Sequence, residues 1–440
     1  MNVMTCRTKR SPTLVAASLC AAFLMLLSSQ AYAVIDGIVG SNSLTVNLTA
    51  KADYITAPDG GSVHIWGYAD DGDHTGNGNR ATYPGPTLIV DEGATITINL
   101  KNELTVPVSI IFPGQSGVIA SGGSSGLLTR EAAPGGTDVV TYTFTATHPG
   151  TYLYQSGTSP ELQIEMGLSG AIIVRPNLGP GYAYNHSDSS FDHEYLFFLT
   201  EMDPNIHALV ENYGPGSAEL LASDYLSDYF PVYWFINGRA APDTMMESYV
   251  GWLPTQPYNC MPRMHPGEKL LMRIVGGGRD MHPFHFHGNH ARIIARDGRF
   301  LSSSPGAGAD LSYMAFTTTS IPGATYDQIF EWTGKGLGWD MYGHAPGDPL
   351  EPHEYAPDHG KPIPVVLPEK QDLAFGGFYS GSPFLGTLGS LPPGEGGLNP
   401  NAGFAYMWHS HTEKEMTNYD IFPGGMMSML VIEPHGTQIP

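Results

Sequence analysis

Short runs of alternating or apolar residues, broken by turn residues, fill the chain from residue 43 to residue 174. They are separated by Gly, Pro, Asn and Asp, and they cover residues 43–48, 62–68, 95–100, 139–146 and 150–154. Successive side chains of a strand point to opposite faces, so alternation of this kind buries one face and leaves the other in solvent. Short strands at close spacing are typical of a β-sandwich. This part of the chain is therefore predicted to form one sandwich domain.

A second series of runs follows a stretch rich in Gly, Asn and Ser at residues 177–192, which we interpret as a linker. The runs cover residues 194–200, 229–236, 269–275, 284–295, 326–332, 404–409 and 427–432. Helical periodicity is weak along the whole chain, with one doubtful segment at residues 217–228. The pattern predicts a second sandwich and an all-β protein.

The two halves show the same order of signals, which indicates a loose duplication. Each has an entry rich in Pro, Gly or Asn, an alternating strand and a closing apolar strand, at residues 170–174 and 427–431 respectively. We predict two sandwich domains, at residues 35–177 and 190–435. A segment rich in Gly and Pro, at about residues 334–402, interrupts the second domain as a long loop insertion.

The composition fits a folded β protein with many turns. Of the 440 residues only 14% are charged, 41% are hydrophobic, and Gly and Pro are abundant at 54 and 36 residues. The formal net charge of −22 would repel nucleic acids and anionic lipids, so neither is expected as a partner. The same surface would attract metal cations, although an acidic surface usually serves solubility.

The first 33 residues have the features of a secretory signal peptide. Basic residues precede an apolar stretch at residues 14–27, and Ala-Tyr-Ala at residues 31–33 is a small-residue cleavage site. An uncleaved membrane anchor is the alternative, but the apolar stretch is short for a span. The mature protein is therefore expected to be periplasmic or secreted, without a membrane span. It would keep only Cys260, more often a small buried hydrophobe than a reactive thiol.

Two His-x-His pairs indicate a metal site. His285 and His287 lie in the sequence MHPFHFHGNH, and His409 and His411 lie in WHSH. Residues i and i+2 of a strand share a face, so each pair can aim two imidazoles at one point. Imidazole suits copper, zinc, iron and nickel. The alternative is a set of surface or core histidines that cluster without binding a metal.

The same stretches resemble copper-binding motifs of the multicopper oxidase family. HPFHFHG at residues 282–288 resembles the third motif of that family, and WHSH at residues 408–411, with a later GGMM, resembles the fourth. YPGPT at residues 83–87 and FINGR at residues 235–239 are similar to strand entries of its first and second domains. The resemblance implies two cupredoxin-like Greek-key β-sandwich domains that bind copper.

The resemblance also implies roles for individual histidines. His285, His287, His409 and His411 fall on positions that bind the three-copper cluster of the family. His282 falls on the first His of its mononuclear, electron-accepting copper. All five are therefore expected as metal ligands.

Other ligand positions of the family hold residues that do not fit the pattern. These positions are Ile111, Pro113, Gln155, Gly157, Ser410 and Glu415. The first four stand where the first domain of the family has histidines. Ser410 stands where the mononuclear copper has its Cys, and a hydroxyl does not replace a thiolate at neutral pH. We therefore expect one or two copper ions rather than four, and no blue copper centre.

The long loop contains a second group of residues that can bind metals. The group consists of Asp340, His344, Asp348, Glu351, His353, Glu354, Asp358 and His359. Mixed carboxylates and imidazoles can capture a cation such as Mn(II) or Cu(II). Such a run is more often a solvated acidic loop, which is the interpretation we prefer.

Three functions remain open from the sequence. The first is a diverged copper-dependent oxidoreductase of the multicopper oxidase type. The second is a non-enzymatic copper-binding protein in metal handling, and the third is a metal-free scaffold. Zinc and manganese are alternatives to copper, and no catalytic residue can be assigned. Because the ligand set is incomplete, a second copy of the chain or a partner domain is expected to face the histidines.

Overall fold

The computed structural model describes residues 35–439 except 75, 77, 336, 364–380, 384–396 and 400–402. The expected signal peptide and much of the long loop insertion lie outside the described residues. The described part is built mainly from strands, which form four large sheets. None of its helices is long and apolar enough to cross a membrane.

The first domain is a sandwich of two sheets. Its strands are β1 Ile38–Gly40, β2 Ser43–Thr56, β3 Ser62–Asp70, β4 Ala81–Thr82, β5 Gly85–Asp91, β6 Thr95–Asn102, β7 Ile119–Gly122, β8 Ser124–Ser125, β9 Arg130–Glu131, β10 Val139–Thr145, β11 Gly150–Gln155 and β12 Ser169–Arg175. The strand orders are β1-β5-β12-β11 and β4-β3-β2-β6-β10-β7, with β8 and β9 paired apart. The chain crosses repeatedly between the two layers, as in Greek-key sandwiches.

Alternation explains why these segments form strands. In β6, Ile96, Ile98 and Leu100 are fully buried, and the residues between them face outward. β2 pairs with β6 in parallel, with Val46 opposite Ile98, and adds its own buried residues to the same core. Each buried aliphatic side chain contributes about 1.5–3 kcal/mol. The sandwich predicted for this part of the chain is confirmed.

The second domain is also a sandwich of two sheets. Its strands are β13 His193–Met202, β14 Tyr233–Ile236, β15 Arg263–Met264, β16 Lys269–Gly276, β17 His282–Phe286, β18 Ala291–Arg296, β19 Arg299–Phe300, β20 Tyr313–Ala315, β21 Thr317–Ser320, β22 Thr325–Glu331, β23 Gly381–Pro383, β24 Phe404–Ser410 and β25 Met427–Ile432. The inner sheet has the order β14-β13-β16-β22-β18-β19, with β20 on β18. The outer sheet has the order β15-β25-β24-β17-β21, with β23 on β24.

The four sheets stack as layers, and the two domains meet through one sheet of each. Ile89 and Ile173 of the first domain share a buried cluster with Phe198 and Val275 of the inner sheet. The core of the second domain lies between the inner and outer sheets and includes Trp408 of β24. The free face of the outer sheet therefore points away from the first domain.

Helices are short and few in the described residues. The α-helices are α1 Pro160–Gln163, α2 Pro204–Tyr213 and α3 Ala218–Ala222, and the 3-10 helices are Ser187–Ser189, Asp243–Met245, Ala356–Asp358 and Glu413–Met416. The sequence pattern missed α2, although its cap was readable: the Asp203 carboxylate accepts the N–H of Asn205, and Pro204 opens the helix. Ile206 and Val210 pack into the first-domain core, so tertiary packing compensates for the weak periodicity.

The segment interpreted as a linker is packed onto the second domain. Tyr184 and Phe191 are buried with Leu271 and Ile329. The Tyr184 hydroxyl also donates to the Asp327 carboxylate at 2.5 Å. The segment therefore connects the domains without standing free between them. The boundaries at residues 177 and 190 stay predictions.

Candidate metal centre

The register of the outer sheet places one histidine of each pair in a single row. His285 of β17 lies opposite His409 of β24 on one side and Thr317 of β21 on the other. His409 lies opposite Met427 of β25. The even-numbered neighbours in β17 and β24 are buried in the core, so the row faces outward. His287 comes two residues after His285 and His411 two residues after His409. Because β17 and β24 are antiparallel, the two lie on opposite sides of the row formed by His285 and His409.

The four imidazoles surround one small volume, and we call them the His quartet. His285 lies at ring-centroid distances of 4.7 Å from His287, 5.6 Å from His409 and 5.0 Å from His411. The Nε2 atoms of His287 and His409 are 3.1 Å apart. Two nitrogens that share one ion at about 2.0–2.1 Å are separated by about 3 Å, so this pair has the spacing of two ligands.

Polar contacts of the Nδ1 atom hold the orientation of two of the rings. His285 Nδ1 lies 2.8 Å from Thr317 Oγ1, and His409 Nδ1 donates to the Ser410 carbonyl oxygen at 2.7 Å. Metal-binding histidines usually make such a contact with the nitrogen that does not bind the metal. In both rings Nε2 is the nitrogen left for a ligand bond.

Electrostatics keep the same two rings neutral. Burial, followed by the neighbouring imidazoles, lowers the pKa of His285 to about 4. Burial also lowers the pKa of His409. Metals bind the neutral imidazole, so both rings are ready to bind at neutral pH. His411 differs because its side chain is 58% exposed at the rim.

His282 does not join the quartet, so its role as a metal ligand stays a prediction that the geometry of the quartet does not support. Alternation along β17 places it on the buried face of the outer sheet. Its Nε2 lies 2.8 Å from Glu201 Oε2, and its Nδ1 lies 2.9 Å from Glu415 Oε2. Burial alone would lower the pKa of this imidazole, but the two carboxylates outweigh burial and raise the pKa to about 10. Without a metal, both nitrogens therefore carry protons at neutral pH.

Glu201, His282 and Glu415 form a buried triad at His282, the residue for which the sequence resemblance implies a role at the mononuclear copper. Glu201 also accepts the backbone N–H groups of Arg279 and Asp280, at 2.6 and 2.9 Å. Burial would raise the pKa of Glu201, but the hydrogen bond and charge of His282, together with the two backbone N–H groups, outweigh burial and lower that pKa. The triad is thus a buried network in which the positive charge of His282 compensates the carboxylates. Cys260 lies apart in the core as expected, and burial raises the pKa of its thiol.

The first domain places the expected ligand positions side by side without ligands. Ile111 and Gln155 exchange two backbone hydrogen bonds, at 2.8 and 3.1 Å. A Cβ atom on Gly157 would lie 2.6 Å from Ile111 Cγ2, so the isoleucine occupies the space that a side chain would need. The two segments meet as the resemblance implies, but aliphatic carbon stands where imidazoles would be.

Four of the eight metal-binding side chains in the long loop converge. They are Asp340, His344, Glu354 and His359, and one potential ligand atom of each lies within 4.8 Å of the others. The Asp340 and Glu354 side chains are only 0% and 5% exposed. The interpretation as a solvated acidic loop is wrong for these four residues, which we call the loop cluster.

A third group of this kind was not foreseen. His193 and His265 both contact Glu268, at 2.8 and 3.1 Å. Burial would raise the pKa of Glu268, but the hydrogen bonds from the two imidazoles outweigh burial and lower it. The His265–Glu268 spacing was readable in the sequence. His193 lies far upstream and is brought in by the pairing of β13 with β16.

The fold and the quartet define a two-domain β-sandwich protein with an imidazole cluster on its outer sheet. The family model of multicopper oxidases matches residues 67–178, within the first domain. The blue copper oxidase of Nitrosomonas europaea superposes with a TM-score of 0.53 at 19% identity, covering 89% of this chain and 86% of that one. At this identity the superposition shows the fold.

Two sequence relatives match parts of the chain. A probable nitrite reductase-hydroxylamine oxidoreductase fusion protein of Kuenenia stuttgartiensis is 26% identical over 64% of this chain and 29% of its own length. Copper resistance protein A of Escherichia coli is 35% identical over 29% of this chain and 20% of its own length. The chain thus spans less than a third of either relative. The chain resembles multicopper oxidases in the sequence of its first domain and has a cupredoxin-like fold.

Proposed function

We propose that this chain is an exported copper protein that holds one or two copper ions on the His quartet. The convergence of His285, His287, His409 and His411 on the outer sheet carries the proposal. Two of the four rings are held from behind by polar contacts and are neutral at pH 7, as ligands must be. Copper bound there would supply one-electron redox chemistry.

The surroundings of the quartet favour copper over zinc or manganese. Met427 lies in the same row as His409, and Met407 and Met429 lie opposite each other in the next row. Alternation turns these three residues to the outward face, where each is half-buried. Imidazole binds both oxidation states of copper, and thioethers favour Cu(I) over harder ions. A mixed imidazole and thioether surface therefore suits an ion that changes oxidation state.

A copper-dependent oxidoreductase is the first function that we propose. The names of the relatives, which include a probable nitrite reductase fusion and a copper resistance protein, fit both a redox role and a metal-handling role. The buried triad supports a departure from four-copper oxidases, because both ring nitrogens of His282 are paired with the carboxylates of Glu201 and Glu415. A non-enzymatic copper carrier is the second candidate function. The buried triad at His282 favours it.

The open face of the quartet supports the expected partner. The outer sheet is the layer farthest from the first domain, and exposed apolar side chains flank the histidines, including Met281, Phe316 and Ile321. We infer that a second copy of the chain or another protein covers this face. The proposed location is periplasmic or secreted, as the leader-like first residues suggest.

Copper analysis of the purified protein tests the proposal. After loading with copper and removal of free ions, the double variant H287A/H411A should lose most of the copper attributable to the quartet. The variant H148A/H353A, with two exposed histidines outside the quartet, should keep it. Both should retain the circular dichroism of a β protein. Equal copper contents in the two variants would contradict the proposal.

Oxidase and reductase assays then separate the two candidate functions. A redox enzyme should lose turnover in H287A/H411A in parallel with its copper. A carrier should show no turnover in either form but should transfer copper to a chelator.

A further inference from the structure

The loop cluster brings four metal-binding atoms together at the spacing of a coordination shell. His344 Nδ1 lies 3.0 Å from Asp340 Oδ2 and 3.4 Å from Glu354 Oε1. His359 Nδ1 lies 2.7 Å from Glu354 Oε1 and 3.8 Å from Asp340 Oδ2. Ligands about 2.0–2.2 Å from one ion are separated by about 3–3.5 Å, which these distances bracket.

Contacts around the cluster fix the direction of its atoms. The backbone N–H groups of Tyr342 and Gly360 donate to the Asp340 carboxylate, both at 2.8 Å. His359 Nε2 lies 2.9 Å from the Asp348 carbonyl oxygen, which can only accept, so Nε2 carries a proton. In the neutral ring the lone pair then belongs to Nδ1, which faces the carboxylates.

Burial separates the cluster from an ordinary surface ion network. The His344 and His359 side chains are 13% and 18% exposed, and the two carboxylates are more deeply buried. The His344 ring also stacks on Tyr342 at a centroid distance of 5.5 Å. Tyr342 and the neighbouring Trp339 belong to the core of the second domain, so the cluster rests on a rigid base.

We propose that Asp340, His344, Glu354 and His359 bind one divalent transition-metal ion in a closed site separate from the His quartet. Two imidazole nitrogens and two carboxylate oxygens suit a borderline ion such as Zn²⁺ or Cu²⁺, whereas Ca²⁺ and Mg²⁺ require shells made mainly of oxygen. Four protein ligands leave no position for a substrate, which is the pattern of a structural site.

The ion would serve as a cross-link within the loop. Residues 340–344 and 354–359 are joined by residues 345–353, which form neither helix nor strand. A metal bound by both ends would hold this segment to the second domain in place of a hydrophobic core. This role does not depend on copper chemistry at the quartet.

Metal titration in a background without the quartet tests the site. The double variant H287A/H411A, stripped with a chelator and titrated with Zn²⁺ or Cu²⁺, should bind one equivalent of either ion by calorimetry. Adding H344A/H359A to that background should abolish this equivalent. The H148A/H353A pair, added instead, should leave it in place.

A milder variant and a second measurement guard against misfolding. The variant E354Q keeps size and hydrogen bonding but removes one anionic ligand, so it should weaken binding at least tenfold with an unchanged thermal transition of the stripped protein. Zn²⁺ should also slow proteolytic cleavage between residues 340 and 360 in the H287A/H411A background, and E354Q should reduce this protection. The proposal is overturned if the H287A/H411A variant binds neither ion, or if E354Q binds as tightly as its parent.

Discussion

At the scale of single residues, the most informative side chain is His282. Its position in HPFHFHG matches a copper ligand, yet the structure makes it the cation of a buried triad with Glu201 and Glu415. A buried charge is tolerated when partners compensate it, and it is costly when one partner is removed. The residue that resembles a ligand thus stabilises the fold.

Replacing His282 by Gln should destabilise the protein by about 3–5 kcal/mol, because two buried carboxylates lose their counter-charge. Urea unfolding measured by tryptophan fluorescence checks this. H148Q, at an exposed position, should change stability little. A loss below about 1 kcal/mol for H282Q would show that the triad is not charged in the folded protein.

The pH dependence of stability should report the same residue. The pKa of His282 is raised from 6.5 to about 10 in the folded state. Its contribution is therefore fully present below pH 6.5 and is lost as the pH rises through about 10. The difference in unfolding free energy between wild type and H282Q should shrink over that range. A constant or growing difference would contradict the assignment.

Acid release of copper depends on two other rings. The sequence alone suggests weakening around pH 6 to 7, in the ordinary imidazole range. Burial lowers the pKa of His285 from 6.5 to about 4 and also lowers that of His409, so protons compete with copper only in more acidic solution. Copper release followed by dialysis at stepped pH should have its midpoint below pH 6.5. A midpoint above that value would show that other rings control binding.

At the scale of elements, strand pairing creates the site. Neither His-x-His pair is a four-ligand site alone, and the pairing of β17 with β24 sets His285 beside His409. Side chains have a period of two along a strand, so a slip by one residue would turn one pair into the core. The burial of the Phe and Trp residues between the histidines prevents that slip.

The third strand of the row offers a sharp test. T317V removes the hydroxyl that lies 2.8 Å from His285 Nδ1, and loss of such an outer contact typically weakens metal binding about 10–100-fold. T319V, on the same strand but beside Pro283, is the matched control and should leave affinity unchanged. Copper affinity measured by chelator competition distinguishes them. Equal affinities would mean that Thr317 does not orient the ring.

At the scale of the whole molecule, the four layers separate the functions. The first domain packs on the inner sheet and has no histidine at the four positions where the resemblance implies one. The outer sheet carries the quartet on its free face and the loop cluster lies on the edge of the same domain. All metal chemistry proposed for the described residues therefore resides in the second domain.

The mature protein loaded with copper should show no intense absorption near ~600 nm, which a copper-thiolate site would give. Restoring the thiol with S410C should not create this band, because His282 remains protonated between Glu201 and Glu415. Visible spectra of both forms check this. A blue wild-type protein, or a blue S410C variant, would show that copper binds at His282 and displaces the contacts of the triad.

Much of the architecture could be predicted from the sequence because it depends on local periodicity. Alternation in β6 and β24, and turn residues between strands, determine two sandwiches and the faces on which Ile96 or Trp408 are buried. The spacing of His285 and His287, and of His409 and His411, likewise determines which rings share a face. The missing ligands at Ile111, Gln155 and Ser410 were readable directly.

Only the tertiary structure decided the features that depend on residues far apart in the sequence. Glu201 comes from β13 and Glu415 from a 3-10 helix after β24, and no local pattern reveals that both meet His282. The structure places His282 on the face of β17 opposite to His285, whereas the resemblance to the family motif implied a ligand. In the loop, the sequence offers eight candidate ligands of the same residue types. Only the folded chain shows that Asp340, His344, Glu354 and His359 converge. Charge compensation and convergence are properties of three-dimensional packing, whereas the strand period is a property of the chain itself.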